Sequence, residues 1–251
     1  MPKVIALAGK GGVGKTTIGG MLIRYLVEEA KKGPVLAVDA DPNSNLNEVL
    51  GVAVHSTIGQ AREDLKKEVP AGMSKDNWVE YKVQESVIEA GGFDLLVMGR
   101  PEGPGCYCAA NSLAKKYIDV LKENYPFVVV DNEAGMEHMS RLVTQDIDVL
   151  YVISDPAPRG ILTVSRILSI IGELGLNIRK TAVIVNRFGP LNEDATLRTA
   201  GERSVAITGT IRNDDALIEG DAAGNSIFDL DRTSDALSDA YAIFRKTMGE
   251  L

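Results

Sequence analysis

The chain has 251 residues, 45% of them hydrophobic, enough to bury a two-sided core in one large domain. Its formal net charge is −8, and an acidic surface repels phosphates, which argues against nucleic acid and anionic membrane as partners. No Lys/Arg run is longer than the pairs Lys31-Lys32, Lys66-Lys67 or Lys115-Lys116, and no stretch approaches the ~20 apolar residues of a membrane span.

The first predicted element is the strand VIALA (4–8). This apolar run is too short for a signal peptide and leads straight into glycines. A helix is predicted over 16–31 and a strand over VLAVD (35–39). Helical patterns at about 58–68 and 78–90 then form a polar insertion at about 51–92, which carries the single tryptophan, Trp78. The strand FDLLVM (93–98), a helix over 110–123 and the strand FVVVD (127–131) follow. The second half alternates DVLYVIS (148–154), a helix over 160–173, TAVIVN (181–186), a helix over 193–202, VAITGTI (205–211) and a helix over 234–248. Most strands are continuously apolar, as strands covered on both faces are. The alternation predicts a single α/β domain over 1–251 with three layers. Its core is a mostly parallel sheet of about seven or eight strands with helices on both faces. These features place the chain in the cytoplasm, where a structural disulfide is disfavoured.

Immediately after the first strand comes GKGGVGKTT (9–17), which fits G-x-x-x-x-G-K-[ST] at Gly9, Gly14, Lys15 and Thr16. Glycines let such a loop curl its backbone N–H groups onto phosphate oxygens at the positive end of the following helix. Gly11, Gly12, Val13 and Thr17 complete the expected contacts. Lys15 is expected to reach the β- and γ-phosphates of ATP, or the β-phosphate of ADP, and the Thr16 hydroxyl to hold Mg2+. Aspartates follow two buried strands, Asp39 and Asp41 after the second and Asp131 ending FVVVD. Strand ends beside a phosphate loop are where α/β sheets place ligands. Such aspartates also serve as turn formers or helix caps.

The second lysine of the loop, Lys10, makes GKGGVGKT resemble the deviant Walker A motif of the MinD, ParA and nitrogenase iron-protein ATPases. That resemblance implies a homodimer in which Lys10 acts across the interface on the partner's nucleotide. It also implies that DADPNSN (39–45) is a switch segment whose Asp41 orients the attacking water and approaches Mg2+. By the same resemblance Asp131 in VVVDNEAG (128–135) holds Mg2+, and Asn186 with Arg187 in VNR meets the base. TIRNDDAL (210–217), with Arg212, is similar to the family's later base-packing segment, although relatives often have Ile-Pro where this chain has Ile211-Arg212.

Both cysteines, Cys106 and Cys108, stand in PEGPGCYCAAN (101–111). A buried thiol pair, a strained disulfide and a metal site compete. Two thiolates one residue apart in an extended segment project to one side and can share a tetrahedral metal, and the segment favours that reading. His55 and His138 stand alone and read as ordinary surface or loop residues. Two further ligands are expected from the same loop of a second copy, giving a four-cysteine site for Ni2+ or Zn2+ across a two-fold axis.

The combination of GKGGVGKTT, DADPNSN, GRPEGPGCYCAAN (99–111) and DNEAGMEH (131–138) resembles the carbon monoxide dehydrogenase accessory ATPases of CooC type. The resemblance implies ATP hydrolysis coupled to nickel insertion into carbon monoxide dehydrogenase or acetyl-CoA synthase. A MinD/ParA-like positioning ATPase is the alternative. A third reading makes the intersubunit cysteines hold a [4Fe–4S] cluster.

Overall fold

A computed structural model describes residues 2–31, 33–64, 69, 70, 72–99, 118–133 and 146–249. The strands are β1 (Lys3–Gly9), β2 (Val35–Asp39), β3 (Val87–Glu89), β4 (Phe93–Val97), β5 (Phe127–Asp131), β6 (Asp146–Ser154), β7 (Asn177–Phe188) and β8 (Ile207–Arg212). They form one sheet in the order β3-β4-β2-β5-β1-β6-β7-β8. Only β3 is antiparallel to its neighbour, β4; every other pairing is parallel.

Around the sheet lie α1 (Lys15–Tyr25), α2 (Leu46–Leu50), α3 (Ile58–Asp64), α4 (Lys75–Glu85), α5 (Pro158–Leu174), α6 (Glu193–Glu202), α7 (Asp215–Ala222) and α8 (Asp235–Met248). α1 runs on into a π-helical turn, Leu26–Ala30, where the sequence predicts plain helix to residue 31. Residues on β1 alternate between two cores, as the pleat requires. Ile5 and Leu7 join Met21, Leu22 and Phe244 on the α1/α8 side. Val4, Ala6 and Ala8 join Ile161, Val164 and Ile167 of α5 on the other. The predicted three-layer α/β domain is therefore the observed one.

Three elements depart from the sequence reading. β3 occupies residues read as the end of a helix over 78–90; α4 stops at Glu85, and Val87–Glu89 add an edge strand. Only three residues long, β3 leaves too little periodicity to detect. α2 is a turn and a half hidden after the polar DPNSN, too short for its buried Leu46 and Leu50 to show a period, and α7 buries none of its residues. In the region of the expected insertion, α3 and α4 pack together and lead into β3. Of the helix predicted over 110–123, residues 118–121 are α-helical and Lys122–Asn124 form a 3-10 turn. No helix among the described residues is long and apolar enough to cross a membrane.

Candidate nucleotide-binding site

β1 delivers the chain to the carboxyl edge of the sheet at Gly9. A Cβ on Gly9 would lie 2.3 Å from the carbonyl oxygen of Ile153 on β6, so only glycine fits there. Gly12 and Gly14 turn the chain with φ of 77° and 92°, the left-handed region that glycine enters without strain. Gly14 is the N-cap of α1; no side chain caps that helix, and its first turn contains no acidic residue. The first-turn N–H groups thus face the loop with the positive end of the helix dipole, an anion site built of backbone.

Lys15 is 7% exposed, and its ammonium donates to the Lys10 carbonyl at 3.4 Å. Burial pushes its pKa down, opposed by the carboxylates of Asp131 and Asp41. Lys10 itself is exposed.

The carboxylates come from adjacent strands. Asp39 and Asp131 are register partners on β2 and β5. Asp39, fully buried, accepts from the Asp41 N–H at 3.1 Å and the Leu46 N–H at 3.0 Å. It therefore shapes the whole 39–46 turn and caps α2. Asp41 accepts from the Asn43 N–H at 2.8 Å.

Asp131 is 1% exposed and bonded to the Thr16 side chain, but its Oδ1 is buried with no hydrogen-bond partner among the described residues. An orphaned buried carboxylate oxygen beside a threonine hydroxyl and a second aspartate fits a hard divalent cation with oxygen ligands. A cleft of about 840 Å3 runs along Gly11, Gly12, Gly14, Lys15, Thr16, Thr17 and Asp41 to Asn43, Asn45, Glu48, Asp221 and Asn225.

Residues 4–227 match the CobQ/CobB/MinD/ParA nucleotide binding domain family. The chain belongs to that family. It is 40% identical to an uncharacterized ATP-binding protein of Methanocaldococcus jannaschii, covering 98% of this chain and 99% of the relative. It is 32% identical to the carbon monoxide dehydrogenase accessory protein CooC of Rhodospirillum rubrum, covering 90% and 89%. Among solved structures, the MinD cell division protein of Aquifex aeolicus shares the fold with a TM-score of 0.73 at 22% identity, over 99% of this chain and 98% of that one.

Beside the cleft, Asn186 and Arg212 make contacts that the sequence reading does not contain. Asn186 donates from Nδ2 to the Val13 carbonyl at 2.9 Å and accepts the Arg187 N–H at Oδ1, 3.0 Å, so its amide is bound to the loop. Arg212 borders a small recess with Asn186 and Arg187, but its guanidinium is forked onto Asp239 at 2.8 and 2.9 Å and paired with Asp235 at 3.1 Å. Those bonds hold the guanidinium on the acidic side chains of α8. Glu48 on α2 and Asp221 on α7 line the cleft on helices the sequence reading does not contain, Asn225 follows α7, and Asn43 and Asn45 stand in the quoted NSN.

Cys106, Cys108 and His138 lie outside the described residues, and His55 is exposed. Among the described residues no group of three or more His, Cys, Asp and Glu is arranged to hold a metal.

Burial raises Asp39 to about 7, helped by the charges of Asp131 and Asp41, and raises Asp131 to about 6, helped by the charge of Asp41 and opposed by Thr16 and Lys15. Groups raised above their unfolded values stabilise the fold below the unfolded pKa and lose that contribution as pH climbs through the folded one. Without Mg2+ and nucleotide, the melting temperature is expected to fall as pH rises from about 4 to about 7. Asp131→Asn is expected to flatten that fall and to melt higher than wild type in mild alkali. A steeper fall in the variant, read by thermal unfolding across pH, would contradict the buried-charge account.

Proposed function

We propose that the protein is a Mg2+-dependent ATPase that dimerises around its nucleotides and uses the dimer to insert nickel into carbon monoxide dehydrogenase or acetyl-CoA synthase. The observation that carries the nickel reading is the Cys106/Cys108 pair in a chain 32% identical to CooC over nine-tenths of its length. One further contact supports coupling between nucleotide and metal. The segment bearing the cysteines begins after β4, and the Met98 N–H at the end of β4 donates to the Asp39 carbonyl at 2.8 Å. The next residue, Ala40, donates to the Asp131 carbonyl at 2.9 Å. The turn carrying Asp41 is thus bonded on one side to the chain leading to the cysteines and on the other to Asp131.

In this reading Lys15 and the loop amides bind the β- and γ-phosphates, and Asp41 orients a water molecule. The water attacks the γ-phosphorus, the β–γ bridging bond breaks, and ADP and phosphate leave. Thr16, Asp41 and Asp131 would hold Mg2+, whose role is to neutralise phosphate charge. Lys10 of each subunit stabilises charge in the other's site. Nickel is cargo, shared by two cysteines from each chain and released as the dimer loosens.

The positioning-ATPase alternative shares this nucleotide chemistry. Against a membrane role, α8 spends its apolar face on the core through Leu237, Tyr241, Ile243 and Phe244. The iron–sulfur alternative uses the same cysteines and is distinguished by the visible absorbance of anaerobically purified protein.

Complementation tests the dimeric active site. Lys10→Ala and Asp41→Ala are each expected to bind ATP and lose hydrolysis by about a hundredfold or more. Mixed in equal amounts, half of the dimers are heterodimers. Each holds one complete site, with Asp41 of one chain and Lys10 of the other, and about a quarter of wild-type activity returns. No recovery on mixing would place Lys10 in its own subunit's site.

A further inference from the structure

β7 ends in an irregular corner. Its pairing with β8 shifts register between Val185 and Phe188, and Arg187 sits there with φ of 56°, a left-handed conformation uncommon for arginine. Bulges next to sites re-aim side chains, and strained backbone persists where its surroundings hold it. This corner re-aims two neighbouring side chains onto one loop. Asn186, 9% exposed, donates to the Val13 carbonyl at 2.9 Å, and the exposed Arg187 donates from Nη1 to the Gly12 carbonyl at 3.2 Å. Contact is close enough that a Cβ on Gly14 would come within 2.4 Å of the Asn186 Nδ2.

We infer that Asn186 and Arg187 are positioning residues for the phosphate loop, acting through its backbone and independently of any base. The inference rests on the nucleotide reading above. In a trans peptide the carbonyl and the following N–H point in opposite directions. Drawing the Gly12 and Val13 carbonyls toward β7 therefore turns the N–H groups of Val13 and Gly14 away from it. Two successive peptide planes are thereby set, so the loop presents its donors to phosphate without first reorganising. The Asn186 amide keeps a second N–H and further lone-pair capacity, so clamping the loop and touching a base are compatible. A residue that only read the base would have no need of the Arg187 bond to Gly12.

The test compares ATP with inorganic tripolyphosphate, which has phosphates and no base, by calorimetric titration of the full chain with Mg2+. Asn186→Ala is expected to weaken both ligands by the same factor, roughly five- to tenfold, the scale of one lost hydrogen bond. Arg187→Ala, a surface change that leaves the core intact, is expected to act in the same direction. In both variants, hydrogen exchange of the 10–17 backbone should quicken without ligand, which loss of charge or of a base contact would not cause. Loss of ATP affinity alone, with tripolyphosphate binding and loop exchange unchanged, would overturn the clamp and leave a base reader. Wild-type protein that binds ATP but not tripolyphosphate would also overturn it, because a preset cradle binds phosphates alone. Wild-type protein that binds neither would overturn the nucleotide reading itself.

Discussion

Lys15→Ala is expected to remove measurable ATP binding and to lower hydrolysis by at least about a thousandfold. The Lys15 ammonium is the buried cation of the loop, 7% exposed and flanked by Asp131 and Asp41. Lys10 is exposed and, in the proposed dimer, faces the partner's nucleotide. Without Lys15, only Mg2+ would offset the repulsion between the phosphates and the two carboxylates that Lys15 now faces. At 4 Å and a protein-like dielectric, each unit-charge pair is worth about 4 kcal/mol, so the change from attraction to repulsion outweighs what the loop amides contribute. The same substitution leaves Asp131 and Asp41 facing each other unscreened, so Asp131 should titrate still higher and the protein should gain stability on acidification. Calorimetry with ATP and a phosphate-release assay check the first effect. ATP binding within tenfold of wild type would contradict the assignment of Lys15.

Cys106→Ser and Cys108→Ser are each expected to abolish tight Ni2+ or Zn2+ binding while leaving ATP binding largely intact. Two thiolates per chain fill half of a tetrahedral shell, and two loops fill it completely. Losing one cysteine per chain would remove two of the four thiolates of the proposed shared site. The remaining pair forfeits soft ligand bonds and charge neutralisation together. The phosphate loop shares no residue with the cysteine segment, so the nucleotide site should not follow. Metal also adds to the dimer by mass action, about 2.7 kcal/mol when free metal stands a hundredfold above its dissociation constant. Because soft thiolates accept both ions, Zn2+ should compete with Ni2+ in vitro. Elemental analysis of the variants after gel filtration reads the loss. Retention of tight metal by either single variant would show that other residues hold it.

The sheet and the phosphate loop were legible because their signals are local. Continuous apolar runs such as FVVVD mark doubly covered strands. Gly9, Gly14, Lys15 and Thr16 mark a loop whose geometry depends on residue type at fixed spacing. β3, α2 and α7 left no such mark. Each is too short or too exposed for periodicity, and each exists because longer neighbours hold it. The base side of the cleft was legible only as a resemblance. That Asn186 would bind the loop backbone and that Arg212 would be forked onto Asp239 depend on α8 and β7 lying where they do, which no spacing within VNR or TIRNDD encodes. Asp39 offers the opposite lesson: the cap and turn reading applies, and it serves the site by holding the turn that carries Asp41.

The measurement that tests the account most directly is metal content with oligomer mass on the wild-type chain, by elemental analysis and light scattering, with and without ATP and Mg2+. The account predicts one Ni2+ or Zn2+ per two chains, bound only where the mass is that of a dimer, and a dimer population that shifts with nucleotide. One tightly bound metal per monomer, with a mass that nucleotide does not change, would contradict both the shared cysteine site and its coupling to the phosphate loop.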